Sequence, residues 1–103
     1  MYTKTVYTGS VIRTVVLPRH VAKQLERVPR HVVDKLLAWV RLVEDAGLEH
    51  ARRIPGFHDE ALKGRRSGQR SIRLSRAYRA IYCISGSGEV EFVTIDEVTK
   101  HAY

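Results

Sequence analysis

The sequence lacks the features that mark several classes of protein. Its single cysteine, Cys83, excludes an internal disulfide and favours a reducing compartment. No cysteine and histidine residues have the spacing of a zinc site. No apolar run approaches the roughly 20 residues that span a membrane, and the N-terminus lacks the apolar segment of a signal peptide. The sequence therefore predicts a cytoplasmic protein with no membrane partner.

Acidic residues are scarce in the middle of the chain, where basic residues are abundant. The chain has 18 Lys and Arg against 11 Asp and Glu, a net charge of +7. Residues 52–79 contain nine of the basic residues and only two acidic ones, Asp59 and Glu60, so the remaining chain carries nine of each sign. Protein surfaces usually mix both signs. The concentrated charge therefore predicts a localised anion-binding face, as nucleic-acid-binding proteins have.

The length of 103 residues predicts one domain with one core, which buries roughly 60–65% of the surface of the unfolded chain. There are no internal repeats and no low-complexity linker. Residues 1–10 are polar and rich in Thr and Tyr. We interpret them as an N-terminal extension, either a disordered tail or an extra edge strand, and residues 11–103 as the single domain.

The first half of the domain reads as a strand followed by two helices. Residues 11–17 are short and β-branched, which is typical of a buried strand. Pro18 precedes an amphipathic pattern over residues 19–28. After Pro29, residues 30–46 carry a wide apolar stripe that includes Leu37, with Trp39 beside it, and Gly47 is a natural stop. The pattern predicts a helical hairpin, with Trp39 at the edge of the core.

The second half reads as a loop followed by three strands. The predicted loop covers residues 48–63, and the strands cover residues 69–75, 78–85 and 89–98, with a hairpin turn at residues 86–88. The order β-α-α-β-β-β predicts an α+β fold in which the helical hairpin packs on one face of a small antiparallel sheet. The opposite face is then free to hold a ligand. Cys83, inside an apolar run, is predicted to be a small core residue.

The basic residues of this half alternate along the predicted strands. Strand periodicity places Ser71 and Arg73 on one face and Arg70 on the other. A tight turn around residues 75–77 brings Arg73 near Arg79, and the pattern leaves open whether the two share a face. A strand pair with regularly spaced arginines indicates a platform for a polyanion.

RNA suits such a platform because it carries its own nucleophile, the 2′-OH. Cleavage needs a base at the 2′-OH, cations around the developing pentavalent phosphorus and an acid at the leaving 5′-oxygen. Arginine matches the phosphate oxygens, and Glu, His and Tyr are plausible proton carriers. No metal is required, and the sequence has no obvious carboxylate cluster to hold one. Single-stranded RNA also favours aromatic side chains for stacking, of which the sequence offers Phe57, Tyr78, Tyr82 and Tyr103.

Three parts of the sequence carry a resemblance to a known family. They are the helical hairpin, the pattern LKG…G.RSIRLS..YR.IY within residues 62–82, and the ending EVTKHAY. From about residue 11 to residue 103 the chain resembles the RelE/ParE superfamily of bacterial type II toxins, and within it the RelE/HigB-like messenger-RNA interferases. Residues 1–10 lie outside the resemblance.

The resemblance implies roles for individual residues. Glu60 and Lys63 match the family's proton carrier and the lysine three residues after it. Arg73 or Arg70 matches a basic residue on the next strand, and Arg79 matches an arginine that contacts phosphate. Tyr103 matches the terminal tyrosine, but Ala102 stands where an acidic residue or His is common, so His101 is the candidate to replace it. The catalytic residues are thus predicted to be Glu60, Lys63, Arg73, Arg79, His101 and Tyr103. The RNA-binding residues are predicted to be Arg65, Arg66, Arg70, Arg76 and Tyr78.

The resemblance also implies an activity and partners. It predicts the toxin of a type II toxin-antitoxin system, a ribosome-dependent endoribonuclease that cleaves messenger RNA with no metal or other cofactor. Its partners would be a cognate antitoxin, the ribosome and the messenger. Two alternatives stay open. One is a ParE-like inhibitor of DNA gyrase without catalysis, and the other is a catalytically inactive RNA-binding module.

Overall fold

A computed structural model describes residues 11–88 and 90–100. These residues form an α+β fold in which helices pack against one face of a five-stranded sheet, so the predicted fold class is confirmed. The N-terminal extension predicted for residues 1–10 lies outside the described residues. The helices are α1 Arg19–Leu25, α2 Arg30–Ala46 and α3 Leu48–Arg52. The strands are β1 Val15–Val16, β2 Glu60–Ala61, β3 Gln69–Arg73, β4 Tyr78–Ser87 and β5 Val90–Lys100.

The sheet has the order β1-β5-β4-β3-β2, and it is mixed rather than wholly antiparallel. Strands β2 to β5 pair in antiparallel fashion, whereas β1 lies parallel to β5, with Val15 opposite Val93. A parallel neighbour needs a long crossover connection, and here the chain between β1 and β5 supplies one. The strand predicted for residues 11–17 is only two residues long in the structure, because only Val15 and Val16 pair with β5.

Prolines and a glycine set the limits of the helices. The first helix ends at Leu25 rather than at the predicted residue 28. Pro29 explains the difference, because it lacks the N–H that would continue the helix and disfavours helical geometry at Val28. Helix α2 occupies the predicted residues and ends at Gly47, whose φ of 91° suits a glycine.

The core forms between α2 and the sheet. Val32, Leu36, Trp39 and Val43 of α2 are completely buried. Trp39 therefore lies inside the core rather than at its edge, and its ring centroid is 5.0 Å from that of Tyr82. Leu37, which the predicted stripe included, is 44% exposed. It follows Leu36 directly, and the helical turn rotates it away from the sheet.

The region predicted as a loop, residues 48–63, contains regular structure. Helix α3 forms after Gly47, and its two apolar residues Leu48 and Ala51 lie one turn apart and are buried. A 3-10 turn follows at Pro55–Phe57. The short strand β2 then adds an edge to the sheet, with Glu60 opposite Ser71.

The β4–β5 hairpin is longer than predicted at both ends. Strand β4 continues to Ser87 rather than to residue 85, and β5 runs from Val90 to Lys100 rather than over residues 89–98. The predicted turn at residues 86–88 is thus partly strand, and the hairpin closes with Ser87 opposite Val90. Gly86 has a φ of 85°, and a β-carbon there would lie 2.0 Å from the carbonyl oxygen of Val90, so only glycine fits.

A β-bulge in β5 connects the sheet to α1. Ile81 pairs with Glu97 while the next residue, Tyr82, pairs with Ile95, so Asp96 is the extra residue. The Nε2–H of His20 donates to the Asp96 carbonyl at 2.7 Å. The backbone N–H of Val98 donates to the side chain of Gln24 at 2.8 Å. Two side chains of α1 thus form hydrogen bonds with backbone groups of β5.

The sheet has two faces, the helix face and the outer face. The helix face contacts the helices and includes Arg70 and Ile72 of β3 and Ala80 and Tyr82 of β4. The outer face is opposite and includes Ser71 and Arg73 of β3 and Arg79 and Ile81 of β4. Cys83 belongs to the outer face and is only half-buried, so the prediction that it is a core residue is wrong. Its face is the one that the helices leave open.

Candidate nucleic-acid interface

Arg73 and Arg79 lie directly opposite each other on the outer face. They are the last register pair of β3 and β4, so their side chains leave the same face from neighbouring strands. This settles the question that the sequence left open. Directly opposed residues have Cβ atoms about 4.5–5.5 Å apart, and like charges in that position repel. The register thus brings two positive charges to one place on the outer face.

The turn between these arginines is fixed by hydrogen bonds. The Ser75 hydroxyl accepts from the backbone N–H of Ala77 at 3.2 Å and from that of Tyr78 at 3.1 Å. The Tyr78 carbonyl accepts from the backbone N–H of Leu74 at 2.9 Å and from that of Ser75 at 3.2 Å. The predicted tight turn at residues 75–77 is therefore present, and it holds the backbones of the two arginines in register. Arg76 is exposed within this turn.

A buried serine lies beside the arginine pair. The Nη1 of Arg79 donates to the Ser71 hydroxyl at 3.4 Å, and Ser71 is only 1% exposed. Arg79 itself is half-buried. The Arg79 side chain thus lies along the sheet toward Ser71, where a hydroxyl helps to orient the guanidinium group. Sequence periodicity placed Ser71 on this face but gave it no role.

Glu60 joins the same face from the edge of the sheet. It is the register partner of Ser71, and paired residues in an antiparallel sheet share a face. The structure thus brings Glu60, Ser71 and Arg79 to one region, with Glu60 exposed. Lys63 follows β2 by two residues and begins the 3-10 turn at Gly64–Arg66, where it is exposed at the same edge of the sheet.

Arg65 and Arg66 are exposed on this 3-10 turn, and Arg66 reaches across the outer face. Its Nη2 lies 2.5 Å from Oε1 of Glu97, and its Nη1 donates to the Gln69 side-chain oxygen at 3.1 Å. Gln69 in turn donates to Asp96 at 2.8 Å. The sequence gives no sign of this network, because the positions of Asp96 and Glu97 depend on the bulge in β5.

Arg70 and Tyr78 do not join this surface, although both were predicted to bind RNA. Arg70 lies on the helix face, where its Nε is 2.6 Å from Oδ1 of Asp59. Tyr78 alternates with Arg79 along β4 and packs against the core. Two further stacking candidates, Phe57 and Tyr82, are buried and cannot stack on a base. Of the predicted RNA-binding residues, the structure therefore leaves Arg65, Arg66 and Arg76 exposed near the outer face.

Two residues on the helix face, Tyr82 and Arg70, have shifted pKa values. The pKa of Tyr82 is strongly raised, first by burial and then by its hydrogen bond to Asp59, so the phenol stays protonated at neutral pH. For Arg70 burial acts against the charge, but the hydrogen bond and the charge of Asp59 outweigh it, so the pKa of Arg70 is raised. Both side chains therefore act as hydrogen-bond donors to one buried carboxylate.

Two predicted catalytic residues, His101 and Tyr103, lie outside the described residues. The last described residue of β5 is Lys100, the register partner of Tyr78, and the preceding Thr99 is the partner of Arg79. The described part of β5 therefore ends one residue beyond the partner of Arg79. The proton-transfer roles of His101 and Tyr103 stay predictions from the sequence.

Further polar groups of the outer face are connected to the Arg66–Gln69 network through Asp96. The Cys83 thiol donates to Asp96 at 3.5 Å and lies 3.7 Å from the Ser85 hydroxyl, which is 2.8 Å from that of Thr94. Burial raises the pKa of Cys83, and the Asp96 charge adds to this effect. Within residues 11–88 and 90–100, no three His, Cys, Asp or Glu side chains are grouped so that they could hold a metal ion.

Comparison with known proteins places the fold. No protein-family model matches the chain, and no curated protein matches it in sequence. Solved structures do match, and most of each aligned chain is covered. A YoeB/ParE toxin from Agrobacterium tumefaciens superposes with a TM-score of 0.63 at 24% identity, covering 86% of this chain and 99% of that one.

Two further structures show the same similarity. YafQ from E. coli superposes with a TM-score of 0.64 at 13% identity, over 85% of this chain and 92% of its own. A chain of the toxin-antitoxin complex RelBE2 from Mycobacterium tuberculosis gives 0.53 at 23% identity, over 85% and 96% of the two chains. The chain therefore has the fold of the RelE/ParE-like toxins, as its sequence predicted. No helix in the described part of the chain is long and apolar enough to cross a membrane.

Proposed function

We propose that this protein is the toxin of a type II toxin-antitoxin system and that it cleaves messenger RNA on the ribosome, in the cytoplasm. The observation that carries the proposal is the direct opposition of Arg73 and Arg79 on the outer face, with Glu60 on the same face. Solved structures with this fold include toxins and a toxin-antitoxin complex, which supports a toxin with a cognate antitoxin.

In the proposed reaction the 2′-OH of the messenger attacks the adjacent phosphate. The O–P bond to the 2′-oxygen forms, the bond to the 5′-oxygen breaks, and the products are a 2′,3′-cyclic phosphate and a free 5′-OH. The two arginines stabilise the charge on the pentavalent phosphorus, because guanidinium groups donate two parallel hydrogen bonds to phosphate oxygens. Lys63, at the edge of the same region, adds positive charge.

Glu60 is the proposed base that removes the proton from the 2′-OH. It is exposed and therefore accessible to a substrate that lies across the outer face. Positioned acid–base groups typically contribute on the order of 10²–10⁴ in rate. His101 or Tyr103 is the proposed acid at the 5′-oxygen. This chemistry uses protons and fixed cations alone and is proposed to need no metal ion.

The proposed partners come from the family resemblance, and the charge of the protein agrees with them. Messenger RNA and ribosomal RNA are polyanions, and Arg65, Arg66 and Arg76 are exposed beside the proposed site. A ribosome-bound messenger would approach the outer face and leave the helix face buried within the domain. An acidic segment of the antitoxin would cover the same basic residues and thereby block access to Glu60 and Arg79.

Toeprinting on translating ribosomes tests the proposal. We expect cleavage of the messenger in the ribosomal A site with EDTA present, and about 10²–10⁴ less cleavage for Glu60→Gln. Absence of cleavage by the wild-type protein, or strict dependence on a divalent ion, would contradict the proposal. A DNA supercoiling assay covers the alternative of a gyrase inhibitor, since the proposed nuclease leaves supercoiling unchanged.

A further inference from the structure

A buried carboxylate directly precedes the proposed base, and the proposed mechanism does not use it. The side chain of Asp59 has no exposed surface. Its Oδ1 accepts from Nε of Arg70 at 2.6 Å, and its Oδ2 accepts a short hydrogen bond from the Tyr82 hydroxyl. These three residues are called the Asp59 cluster below.

The Asp59 cluster ties Asp59 to the rigid centre of the domain. Arg70 and Tyr82 are register partners on β3 and β4, so the two donors come from neighbouring central strands. Tyr82 is completely buried and packs on Trp39 of α2, with ring centroids 5.0 Å apart. Tyr82 cannot move far without disturbing the core, and the backbone of Arg70 is paired on both sides within the sheet, so the carboxylate that they bind is held in place.

The strand that carries Glu60 has few other attachments. Strand β2 is two residues long and lies at the edge of the sheet, and one further hydrogen bond follows it, from the Leu62 N–H to the Gln69 carbonyl at 2.9 Å. Such a short edge strand opens easily. His58, just before Asp59, has a φ of 46°, so the chain turns sharply immediately ahead of the cluster.

Burying the Asp59 cluster is hard to explain by stability alone. Taking a carboxylate out of water costs several kcal/mol, and apolar side chains of similar volume are often equally stable. A buried charged group can instead select one arrangement of the chain. Here the selected arrangement has a visible result, since Asp59 points to the helix face and the adjacent Glu60 lies on the outer face opposite Ser71.

We propose that Asp59, bound by Arg70 and Tyr82, is a positioning residue that fixes β2 on β3 and thereby sets Glu60 beside Ser71 and Arg79. The catalytic part of this inference rests on the proposed function, whereas the structural part does not. Because the Asp59 cluster contacts the face opposite to the substrate, it acts on the reaction only through Glu60.

The test removes one hydroxyl and keeps the fold. Asp59→Ala would leave the Arg70 charge without its partner and threaten folding, so Tyr82→Phe is the better variant because its ring still packs on Trp39. Thr94→Val is the matched control, since it deletes a hydroxyl that bonds to Ser85 elsewhere in the sheet. Hydrogen exchange is measured at the backbone N–H of Leu62 and, as an internal reference, at that of Val93, which donates to the Thr14 carbonyl.

We expect Tyr82→Phe to accelerate exchange at Leu62 by about tenfold or more, because β2 opens more often, and to leave Val93 unchanged. Thr94→Val should leave Leu62 unchanged. Equal exchange at Leu62 in the wild type and in Tyr82→Phe would overturn the inference. This readout needs no RNA cleavage, so it decides the inference even if the proposed function fails.

A double-mutant cycle tests the link to Glu60. In single-turnover cleavage we expect Tyr82→Phe to lower the rate by about 10-fold to 100-fold, as small displacements of reacting groups do. In a Glu60→Gln background the same substitution should change the rate by less than about twofold, because the group it positions is already gone. An equal loss in both backgrounds would show a merely structural role and overturn the inference. No cleavage by the wild-type protein would count against the proposed function instead.

Discussion

Strand β3 uses arginine in opposite ways on its two faces. Arg70 points to the helix face, where it is half-buried and pairs with the buried carboxylate of Asp59. Arg73, three residues later, points to the outer face and lies opposite another arginine, Arg79. One arginine satisfies a carboxylate inside the domain, and the other adds to a concentration of positive charge on its surface.

The comparison shows that the net charge of a segment does not tell how many of its basic residues lie on a surface that could bind a ligand. The sequence counts Arg70 and Arg73 equally, yet only Arg73 lies where a polyanion can reach it. The difference comes from strand alternation, which places residues separated by an odd number on opposite faces. Substitutions of arginine on the two faces should therefore differ in their effects on stability and on activity.

Arg70→Ala should reduce stability more than any outer-face substitution. It leaves the fully buried Asp59 carboxylate without its ion partner, and breaking a buried pair typically costs about 3–5 kcal/mol. Chemical denaturation followed by circular dichroism measures the free energy of unfolding. Arg73→Ala, in the same strand, is the matched control and should cost less than about 1 kcal/mol. Equal losses for the two variants would contradict the difference between the faces.

Arg79→Ala should abolish toxicity and leave a folded protein. Loss of a preorganised charge stabiliser lowers rates on the order of 10²–10³, or ~3–4 kcal/mol of barrier. The stability cost should be about 1 kcal/mol, because the buried Ser71 hydroxyl loses a donor. Growth arrest and toeprinting measure the activity, with exposed Arg27→Ala as the control. Unfolding of Arg79→Ala, or unchanged growth arrest, would make Arg79 a structural residue and move the proposed site.

Arg79→Lys should lie between the wild type and Arg79→Ala. Lysine keeps the positive charge opposite Arg73 but loses the planar group that donates two parallel hydrogen bonds to a phosphate. We expect a cleavage rate reduced by about tenfold, with KM less affected, because the geometry matters most in the transition state. Full activity in Arg79→Lys would mean that charge alone suffices, and the pair would then serve binding rather than catalysis.

The sequence predicted the fold class, the extent of α2 and the concentration of charge, because each depends on local pattern. The family resemblance grouped Arg73 and Arg79 with Glu60, but the strand pattern did not decide which arginines share the outer face. That outcome depends on the register of β3 with β4 and on pairing of β2 with β3, which are contacts between distant parts of the chain. Strand β2 is too short to give a periodic signal, and so the roles of Asp59 and Arg70 were missed.

The bulge at Asp96 is a further feature that the local sequence pattern does not predict. It turns Glu97 onto the outer face opposite Ile81, where it pairs with Arg66. The sequence predicts one uninterrupted strand over residues 89–98, which gives no reason to expect two acidic residues beside a basic interface. The parallel pairing of β1 also depends on a distant contact and was missed for the same reason.

The smallest expected effect concerns Glu97, which pairs with Arg66 on the outer face. Both side chains are partly exposed, and such pairs contribute about 0.2–1 kcal/mol. Glu97→Gln should therefore leave stability nearly unchanged and free Arg66 to contact a phosphate. We expect single-stranded RNA to bind at most about fivefold more tightly, and the slope of log K against log salt to steepen by about 0.7 for one added phosphate contact.

Fluorescence anisotropy with a labelled single-stranded RNA, at several salt concentrations, measures both quantities. Glu44→Gln is the matched control, because Glu44 is exposed on α2, which packs on the helix face. It removes the same charge far from the outer face, so its salt slope should equal that of the wild type. An unchanged slope for Glu97→Gln would mean that Arg66 does not reach the RNA, and a steeper slope in both variants would reduce the effect to net charge alone.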